Sequence, residues 1–245
     1  WNFMKTPIFF VSDNHFQKLS NSSERRRRNK FYSLLDHIQD VQGTLVIGGD
    51  FFDFWFDYRG YVPFEYVDIF EKLKKLKSSG VDIYYVLGNH DYWDFGFFKR
   101  NFSTQTFKDE FNFLQDNQNI LVVHGDGIFK DDYGYRIFRR IIRSRLCIFL
   151  FNLLPPSVGY YIAKKISKAD KPQEYYKDNK IIKEKLLFHA KEMWDEADVI
   201  LVGHYHQDGI IEKDDKKLIF MGDWLNKFLV TVYDRGVWKQ IKWEK

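Results

Sequence analysis

Cysteine is nearly absent from this sequence, since Cys147 is the one residue of its type among 245. A lone cysteine excludes an internal disulfide framework and a cysteine-rich zinc site, so any metal must be held by His, Asp, Asn or Glu. Long hydrophobic runs are also lacking, because the longest, residues 146–154, is too short to span a bilayer and is interrupted by Asn152. Residues 1–6 lack the basic and then apolar pattern of a signal peptide, so we expect a cytoplasmic protein.

Aromatic side chains, in contrast, are abundant at 19% of the chain, and hydrophobic residues together reach 44%. This is enough for one sizeable core and for further flat apolar surface that faces a ligand or a bilayer. The net charge is only +4, but arginines gather at positions 25–28 and again between 136 and 145. These clusters are either solvated helix faces or surfaces that attract anionic phosphate or lipid, and charge alone does not choose between them.

Short apolar runs that lead into polar loops predict buried strands at residues 8–11, 45–47, 83–87, 120–123 and 199–202. Helical spacing between the first three runs is typical of βαβ units and a largely parallel sheet. The runs at the end of the chain, from residue 218 onward, indicate antiparallel pairs. We predict a single domain over residues 1–245, with a helical cap inserted at about 127–191 and broken at Pro155 and Pro156.

Five of the seven histidines directly follow strand-like runs, in company with Asp, Asn or Gly: His15, His90, His124, His204 and His206. One such histidine is usually structural, but ligands of open α/β sheets collect at the carboxyl ends of strands, so five together indicate a site. In an extended segment residues i and i+2 project to the same side, which would bring Asp13 together with His15. Mixed imidazole and carboxylate ligands suit Mn, Fe, Zn, Ni or Co better than Mg or Ca, and we interpret the set as a two-metal site.

In chain order the motifs are Asp-x-His at 13–15, Gly-Asp-x-x-Asp at 49–53, Gly-Asn-His-Asp at 88–91, His-Gly-Asp at 124–126 and Gly-His-x-His at 203–206. This series resembles the complete motif set of the calcineurin-like metallophosphoesterase superfamily. Two longer stretches, 49–55 and 124–139, are similar to the UDP-2,3-diacylglucosamine pyrophosphohydrolases of lipid A biosynthesis. The resemblance implies an α/β fold, a four-layer α-β-β-α sandwich of mixed sheets with an inserted helical cap.

The resemblance also implies the ligands of two divalent ions, for which Mn²⁺ is favoured and Fe, Zn, Ni or Co are alternatives. One ion would be bound by Asp13, His15 and His206, the other by Asn89, His124 and His204, with Asp50 bridging. The catalytic pair would be His90, which polarises the phosphate or assists the leaving group, and Asp91, which orients it. Some members of the lipid A branch carry Arg where this chain has His90.

Substrate contacts are implied mainly in the segment after His124. The residues so predicted are Asp126, Asp132, Tyr135, Arg139, Ser167 and Lys168. Asp126 is equally well interpreted as a support behind the metal ligands, and Asp53 as a hydrogen-bond partner of the loop that presents Asp50.

The implied reaction is hydrolysis of the pyrophosphate bond of UDP-2,3-diacylglucosamine to UMP and 2,3-diacylglucosamine 1-phosphate. The expected partners are this lipid-linked nucleotide and an anionic membrane surface, with peripheral residence on the cytoplasmic face of a bacterial inner membrane. Nucleic acid and an obligate protein partner are not expected. Two alternatives stay open, a general calcineurin-like phosphodiesterase or nuclease, and a scaffold that keeps the fold without catalysis. The second would be expected to lose metal ligands, and all seven are present.

Overall fold

The computed structural model describes residues 3–18, 21–169 and 179–245, with side chains up to residue 166 in the middle range. A short 3-10 turn, Phe64–Tyr66, precedes the second helix. In chain order the strands and helices are β1 (Ile8–Val11), α1 (Ser22–Asp40), β2 (Thr44–Ile47), α2 (Val67–Ser78), β3 (Asp82–Val86), α3 (Phe97–Asn101), β4 (Gln105–Phe107), β5 (Glu110–Gln115), β6 (Gln118–Val123), α4 (Tyr133–Ile142), α5 (Arg145–Asn152), α6 (Pro156–Ala169), α7 (Lys180–Met193), β7 (Val199–Val202), β8 (Asp208–Lys213), β9 (Lys216–Met221), β10 (Leu229–Asp234) and β11 (Val237–Lys242).

The strands form two mixed sheets, as predicted for the fold class. The first has the order β11-β10-β1-β2-β3-β4, in which β1 to β4 run parallel and β10 pairs antiparallel with both neighbours. The second has the order β5-β6-β7-β9-β8, with a parallel centre and antiparallel edges. The antiparallel pair β10 and β11 confirms the prediction for the end of the chain.

Three hydrophobic cores separate four layers, because successive side chains of a strand point to opposite faces of its sheet. On β1, Phe9 packs in the core beneath α1 and α2, whereas Phe10 packs in the core between the two sheets. The third core lies on the far side of the second sheet, where Leu186 of α7 packs against Ile200. The resulting layers are helices, sheet, sheet and helix, which confirms the predicted α-β-β-α sandwich.

The first arginine cluster does not face solvent as a unit. Arg25 and Arg26 are exposed, but Arg27 and Arg28 are buried and both pair with the buried carboxylate of Glu24, at 2.7 Å and 3.1 Å. The alternation follows from helix geometry, because residues three and four apart share a face. Arg27 and Arg28 therefore belong neither to a solvated helix face nor to an anion-attracting surface, and both alternatives fail for these two residues.

The segment predicted as a cap contains α4, α5, α6 and α7, and the break between α5 and α6 falls at the two prolines. Helix α7 packs on the second sheet and forms the outer layer of the sandwich. Helices α4 and α5 contribute no fully buried residue, and they lie beside the edge where the candidate ligands gather. No helix within the described ranges is both long enough and apolar enough to cross a membrane.

Candidate metal centre and adjoining cavity

Candidate ligands follow β1, β2, β3, β6 and β7, the strands that the sequence predicted would end at one edge. Asp13 and His15 come after β1, and Asp50 follows β2. The remaining ligands follow the other three strands: Asn89, His124, His204 and His206. The parallel direction of these strands within each sheet brings their carboxyl ends to a common edge, which is where α/β folds bind ligands.

The first group of ligand atoms comes from Asp13, His15 and His206, whose donor atoms all lie within 4.8 Å of one another. Nε2 of His15 and Nε2 of His206 are 3.9 Å and 3.6 Å from Oδ1 of Asp13. The two imidazole rings are stacked with their centroids 5.4 Å apart. Bonds of about 2.0–2.2 Å to one ion would leave its ligand atoms roughly 3–4 Å apart, so the spacing fits a shared cation.

The second group consists of Asp50, His124 and His204, again within 4.8 Å. Nε2 of His124 lies 3.1 Å from Oδ1 of Asn89, so the amide predicted as a ligand faces the same point. Oδ2 of Asp50 is 3.4 Å from Nε2 of His124 and 3.8 Å from Nε2 of His15. Asp50 therefore stands between the two groups, in the arrangement expected of a bridging carboxylate.

The backbone of the ligand loops is strained. Five of the candidate ligands have φ between +43° and +63°, the left-handed region: Asp13, His15, Asp50, His204 and His206. Non-glycine residues rarely adopt this conformation, and such strain gathers at functional sites where the surroundings enforce it. Asp13 and His15 do converge on one group, but through left-handed turns and not through an extended segment, whereas His204 and His206 belong to different groups.

Two glycines allow the loops to approach so closely. Gly49 has φ +96°, and a Cβ added there would lie 2.5 Å from Nδ1 of His124. A Cβ added at Gly88 would collide with Oδ1 of Asp50. Any larger residue at either position would push the bridging carboxylate and the second group apart.

The protonation chemistry of the site also suits cations. Burial alone would raise the pKa of the Asp50 carboxyl, but the imidazoles of His124 and His90 outweigh it and hold that pKa well below 3.8. Burial lowers the pKa of His124, yet the Asp50 carboxylate overrides this and raises it to about 10. The centre thus attracts positive charge strongly enough for His124 to hold a proton there, and a bound cation would take the place of that proton.

His90 lies next to the centre, and a backbone carbonyl orients it. Its Nδ1 is 2.6 Å from the carbonyl oxygen of Asp53, and its Nε2 is 3.8 Å from Oδ2 of Asp50. A carbonyl can only accept, so Nδ1 carries the proton and Nε2 faces the centre. Asp53 itself groups with His15 and His90, its donor atom within 4.8 Å of theirs.

Asp91 does not orient His90, which corrects the role predicted for it. Its two oxygens accept from the backbone N–H groups of Gly88 and Phe51 at 2.7 Å and 2.8 Å, and from the Tyr85 hydroxyl at 2.5 Å. The carboxylate is fully buried, and it ties the loop of Asn89 to the loop of Asp50. Asp91 is therefore a positioning residue for two ligand loops.

The segment after His124 is tied to α4 through Asp126. Oδ2 of Asp126 accepts from Nε of Arg139 at 2.6 Å and from Nη2 of Arg143 at 2.7 Å. The guanidinium of Arg143 also lies 3.8 Å from the ring centroid of Tyr92, which follows His90 closely in the chain. This arrangement favours the interpretation of Asp126 as a support, and it leaves Arg139 paired with Asp126.

The other predicted substrate contacts are distributed as follows. Asp132 is exposed and caps α4, accepting from the backbone N–H of Tyr135 at 3.0 Å. The ring of Tyr135 lies 6.1 Å from that of His204, beside the second ligand group. The side chains of Ser167 and Lys168 lie outside the described residues, so their predicted contacts stay predictions.

An apolar cavity of about 250 Å³ opens directly beside the centre. Its polar end is formed by Asp53, Asn89 and His90, and the rest of its wall is largely hydrophobic. The lining residues beyond that end come from the loops after β2 and β3 and from α4, α5 and α6: Phe54, Trp93, Tyr135, Phe138, Ile142, Cys147, Phe151, Ile162, Ala163 and Ile166. The cavity therefore has residues of the candidate metal centre at one end and hydrophobic side chains along the rest of its length.

Sequence reasoning missed two residues that support the ligands. Asp223, buried after β9, has Oδ2 at 3.8 Å from Nδ1 of His206. Arg27 of α1 donates to the carbonyl oxygens of Asn14 and His15, at 3.2 Å in the latter case. Asp223 stands at a strand end in a Gly-Asp pair like that of Asp50, which was an available signal, whereas nothing local to Arg27 indicates its role.

Comparison with known proteins agrees with this geometry. The sequence profile described as calcineurin-like phosphoesterase matches residues 6–208. The UDP-2,3-diacylglucosamine hydrolase of Porphyromonas gingivalis is 24% identical, with 94% of this chain and 95% of that protein covered. The enzyme of the same name from Haemophilus ducreyi is 28% identical, with 88% and 91% covered. A solved Plasmodium structure, described as GAP50, the anchor in the inner membrane complex, shares the fold at TM-score 0.50 and 12% identity, with 96% of this chain and 83% of that chain covered.

Proposed function

The chain belongs to the calcineurin-like phosphoesterase family and is a metal-dependent hydrolase, and from that premise we propose that it cleaves the pyrophosphate bond of UDP-2,3-diacylglucosamine. The reaction consumes one water and yields UMP and 2,3-diacylglucosamine 1-phosphate. Relatives that carry this activity in their name match the chain at 24–28% identity along nearly its whole length.

The observation that carries the proposal is the apolar cavity whose polar end is formed by Asn89 and His90. A substrate with two acyl chains needs a hydrophobic slot that begins where its phosphate reacts. A phosphodiesterase for nucleotides or nucleic acid would instead be expected to have an open basic groove with exposed stacking platforms. Phe138 and Ile142 of α4, with Phe151 of α5, supply the aliphatic and aromatic wall that acyl chains require.

The two ligand groups fit a pair of divalent cations, with Asp50 shared between them. Such cations, when bound, supply positive charge that stabilises the phosphate oxygens and activates the attacking water. Mn²⁺ is our choice of ion, because imidazole, amide and carboxylate donors together suit a borderline divalent metal. The chain's own contribution is to fix these donors in place, through Asp91 behind Asp50 and through Asp223 behind His206.

His90 has a separate task in the proposal. Hydrogen bonding of Nδ1 to Asp53 fixes the ring, so that Nε2 is aimed at the space between the centre and the cavity. From there a protonated imidazole donates to a phosphate oxygen or to the departing group. Such a donor contributes typically about 10²–10⁴-fold to the rate.

The substrate's acyl chains belong to a bilayer, so the proposal includes peripheral residence at the cytoplasmic face of a bacterial inner membrane. The exposed hydrophobic residues of α4 and α5 are consistent with such a surface.

Hydrolysis in mixed detergent micelles tests the activity. UDP-2,3-diacylglucosamine, bis-p-nitrophenyl phosphate and single-stranded DNA are compared at equal concentration with added Mn²⁺, and products are identified by mass spectrometry. We expect UMP and the diacyl sugar phosphate, with kcat/KM for the lipid nucleotide far above that for the other two. A preference for DNA or for the small diester would reject the lipid substrate, although the family assignment would stand.

A further inference from the structure

A second cleft lies on the outer face of α5, away from the candidate metal centre. It has a volume of about 610 Å³ and shares no lining residue with the apolar cavity. Helix α5 separates the two, since Cys147 and Phe151 line the cavity whereas Arg145, Ile148 and Phe149 line the cleft.

Arginine is the commonest residue in the lining of the cleft. Three arginines, Arg59, Arg100 and Arg145, meet there with a single carboxylate, that of Asp57. Arg100 is engaged, because its Nη2 lies 3.4 Å from Oδ2 of Asp57 and its Nη1 donates to the carbonyl of Phe95 at 3.3 Å. Arg59 and Arg145 have no ion-pair partner among the residues that the structure describes. Two guanidinium groups are therefore available to an anion, and their planar donors match phosphate oxygens.

Apolar residues line the same cleft, and those of α5 continue into an exposed hydrophobic strip along that helix. Phe95, Ile148 and Phe149 line the cleft itself. Four hydrophobic side chains on this helix or directly after it are more than half exposed: Leu146 (67%), Phe149 (59%), Leu150 (54%) and Leu153 (65%). Contiguous exposed hydrophobic side chains of this size mark an interaction surface, since water solvates them poorly.

We propose that this cleft binds the phosphate of an anionic phospholipid, with Arg59 and Arg145 contacting the headgroup and the leucines of α5 entering the acyl region. Charge complementarity selects this occupant, because the guanidinium groups border a hydrophobic strip. That is the order in which a bilayer surface presents phosphate and then hydrocarbon. A free phosphate would use the arginines alone and would leave the leucines in water. The inference deepens the membrane residence included in the proposed function by naming its binding site, but it does not depend on the proposed reaction.

Each basic residue near an anionic surface strengthens binding by about fivefold. The double variant Arg59→Ala/Arg145→Ala is therefore expected to bind vesicles of 30% phosphatidylglycerol in phosphatidylcholine about 25-fold more weakly than the parent chain. The matched control is Arg25→Ala/Arg26→Ala, which removes the same charge from two exposed positions of α1. Circular dichroism melting and turnover of bis-p-nitrophenyl phosphate check that each variant is folded, since none of these residues belongs to the metal centre.

Vesicle flotation measures the binding of the metal-loaded parent chain and of each variant. Pure phosphatidylcholine vesicles serve as the neutral comparison. Support requires that the cleft variant loses binding to the anionic vesicles, that the control keeps it, and that Phe149→Ser weakens it. Equal losses in the two double variants would mean unspecific attraction by net charge and would overturn the proposal. So would vesicle binding by Phe149→Ser equal to that of the parent chain, because it would show that the arginines bind a phosphate without the hydrophobic strip. A concentration-dependent dimer abolished by Phe149→Ser without lipid would assign the strip to a second copy of the chain and would likewise overturn it.

Discussion

The Asp126 carboxylate is held by Arg139 and Arg143. We expect its loss to weaken binding of the lipid substrate and to leave the chemical step at the metal centre nearly unchanged. The Asp126 and Arg143 side chains are only 5% and 9% exposed, whereas that of Arg139 is 31% exposed. Replacing Asp126 by Asn keeps the shape of the side chain and removes its charge. It leaves two guanidinium groups against a neutral amide.

The magnitude follows from burial. Removing one partner of a fully buried ion pair costs about 3–5 kcal/mol of folding free energy, because the other charge is left uncompensated. Arg139 can turn partly to solvent, and its Nη2 already lies 3.5 Å from Asp109, so we expect about 2–3 kcal/mol for Asp126→Asn. For a chain of this size that corresponds to a melting temperature lower by about 4–12 °C.

The functional effect should fall on the lipid substrate. Arg139 of α4 and Arg143 directly after it lie beside Phe138 and Ile142, which line the apolar cavity. A loosened α4 would therefore disturb the cavity in which the acyl chains of the proposed substrate would lie. The direct ligands of the centre are untouched. We therefore expect KM for UDP-2,3-diacylglucosamine to rise by about tenfold or more while kcat/KM for bis-p-nitrophenyl phosphate stays within about threefold of the parent value.

Asp131→Asn is the matched control, because it removes a carboxylate five positions further along, on the same loop. Asp131 pairs with Lys185 at 2.7 Å, but both side chains are exposed, so solvent screens the pair and its loss should leave the free energy of unfolding nearly unchanged. Equilibrium unfolding in urea and steady-state kinetics on both substrates give the comparison. The link between this ion pair and the apolar cavity would be refuted by either of two results. One is a free energy of unfolding for Asp126→Asn equal to that of the control, and the other is an equal loss of kcat/KM on both substrates.

Three further changes test other parts of the centre. Asp50→Asn should lower the metal content, measured by plasma mass spectrometry, and should lower the activity by more than about 100-fold. The reason is that loss of a bridging ligand weakens metal binding more than a change to a residue behind a ligand does. A metal content near that of the parent would exclude a bridging role for Asp50. Gly88→Ala should lower kcat by about 10²-fold, because the added methyl group collides with Asp50 and a displacement of about 1 Å costs that much; an unchanged kcat would show that the loop yields. Burial, partly offset by the backbone N–H of Phe98, raises the pKa of Asp94 from 3.8 to about 6. The ionised carboxylate therefore destabilises the fold. The protonated carboxyl contributes to the free energy of unfolding below pH 4, and this contribution is lost as the pH rises through 6. Asp94→Asn should therefore gain up to about 3 kcal/mol on the parent between pH 4 and pH 7, as measured by urea midpoints, and a pH-independent difference would contradict the raised pKa.

Much of the centre could be predicted from sequence because its ligands obey a one-dimensional rule. A buried strand in a parallel arrangement is a short apolar run, and the residue after it stands at the ligand edge. That rule found the loops of Asp13, Asp50, Asn89, His124 and His204 without any knowledge of how the strands are ordered. The edge strands β4, β5 and β8 were not predicted, because half-exposed strands lack a continuous apolar run.

The arginines that support the ligand loops could not be predicted, because their partners are distant in sequence. In the sequence Arg27 is simply part of a basic run. Only the packing of α1 against the loop after β1 turns its guanidinium toward the carbonyls of Asn14 and His15. The same holds for Arg139 and Arg143, which look like a solvated helix face until α4 lies beside Asp126. Helical periodicity tells which residues share a face, but it does not tell what that face meets.

Helix α4 connects two ligand loops, and this gives the cavity a fixed relation to the centre. At one side its arginines hold Asp126, two residues after His124. At its end the carbonyl of Ile142 accepts from the indole N–H of Trp93 at 3.2 Å, on the loop that carries Asn89 and His90. A helix tied to both loops cannot shift relative to one without straining the other. The cavity wall that would hold the acyl chains is therefore positioned by the same loops that would hold the reacting phosphate. The fold itself thus sets the distance between the acyl-binding wall and the phosphorus atom of a bound substrate.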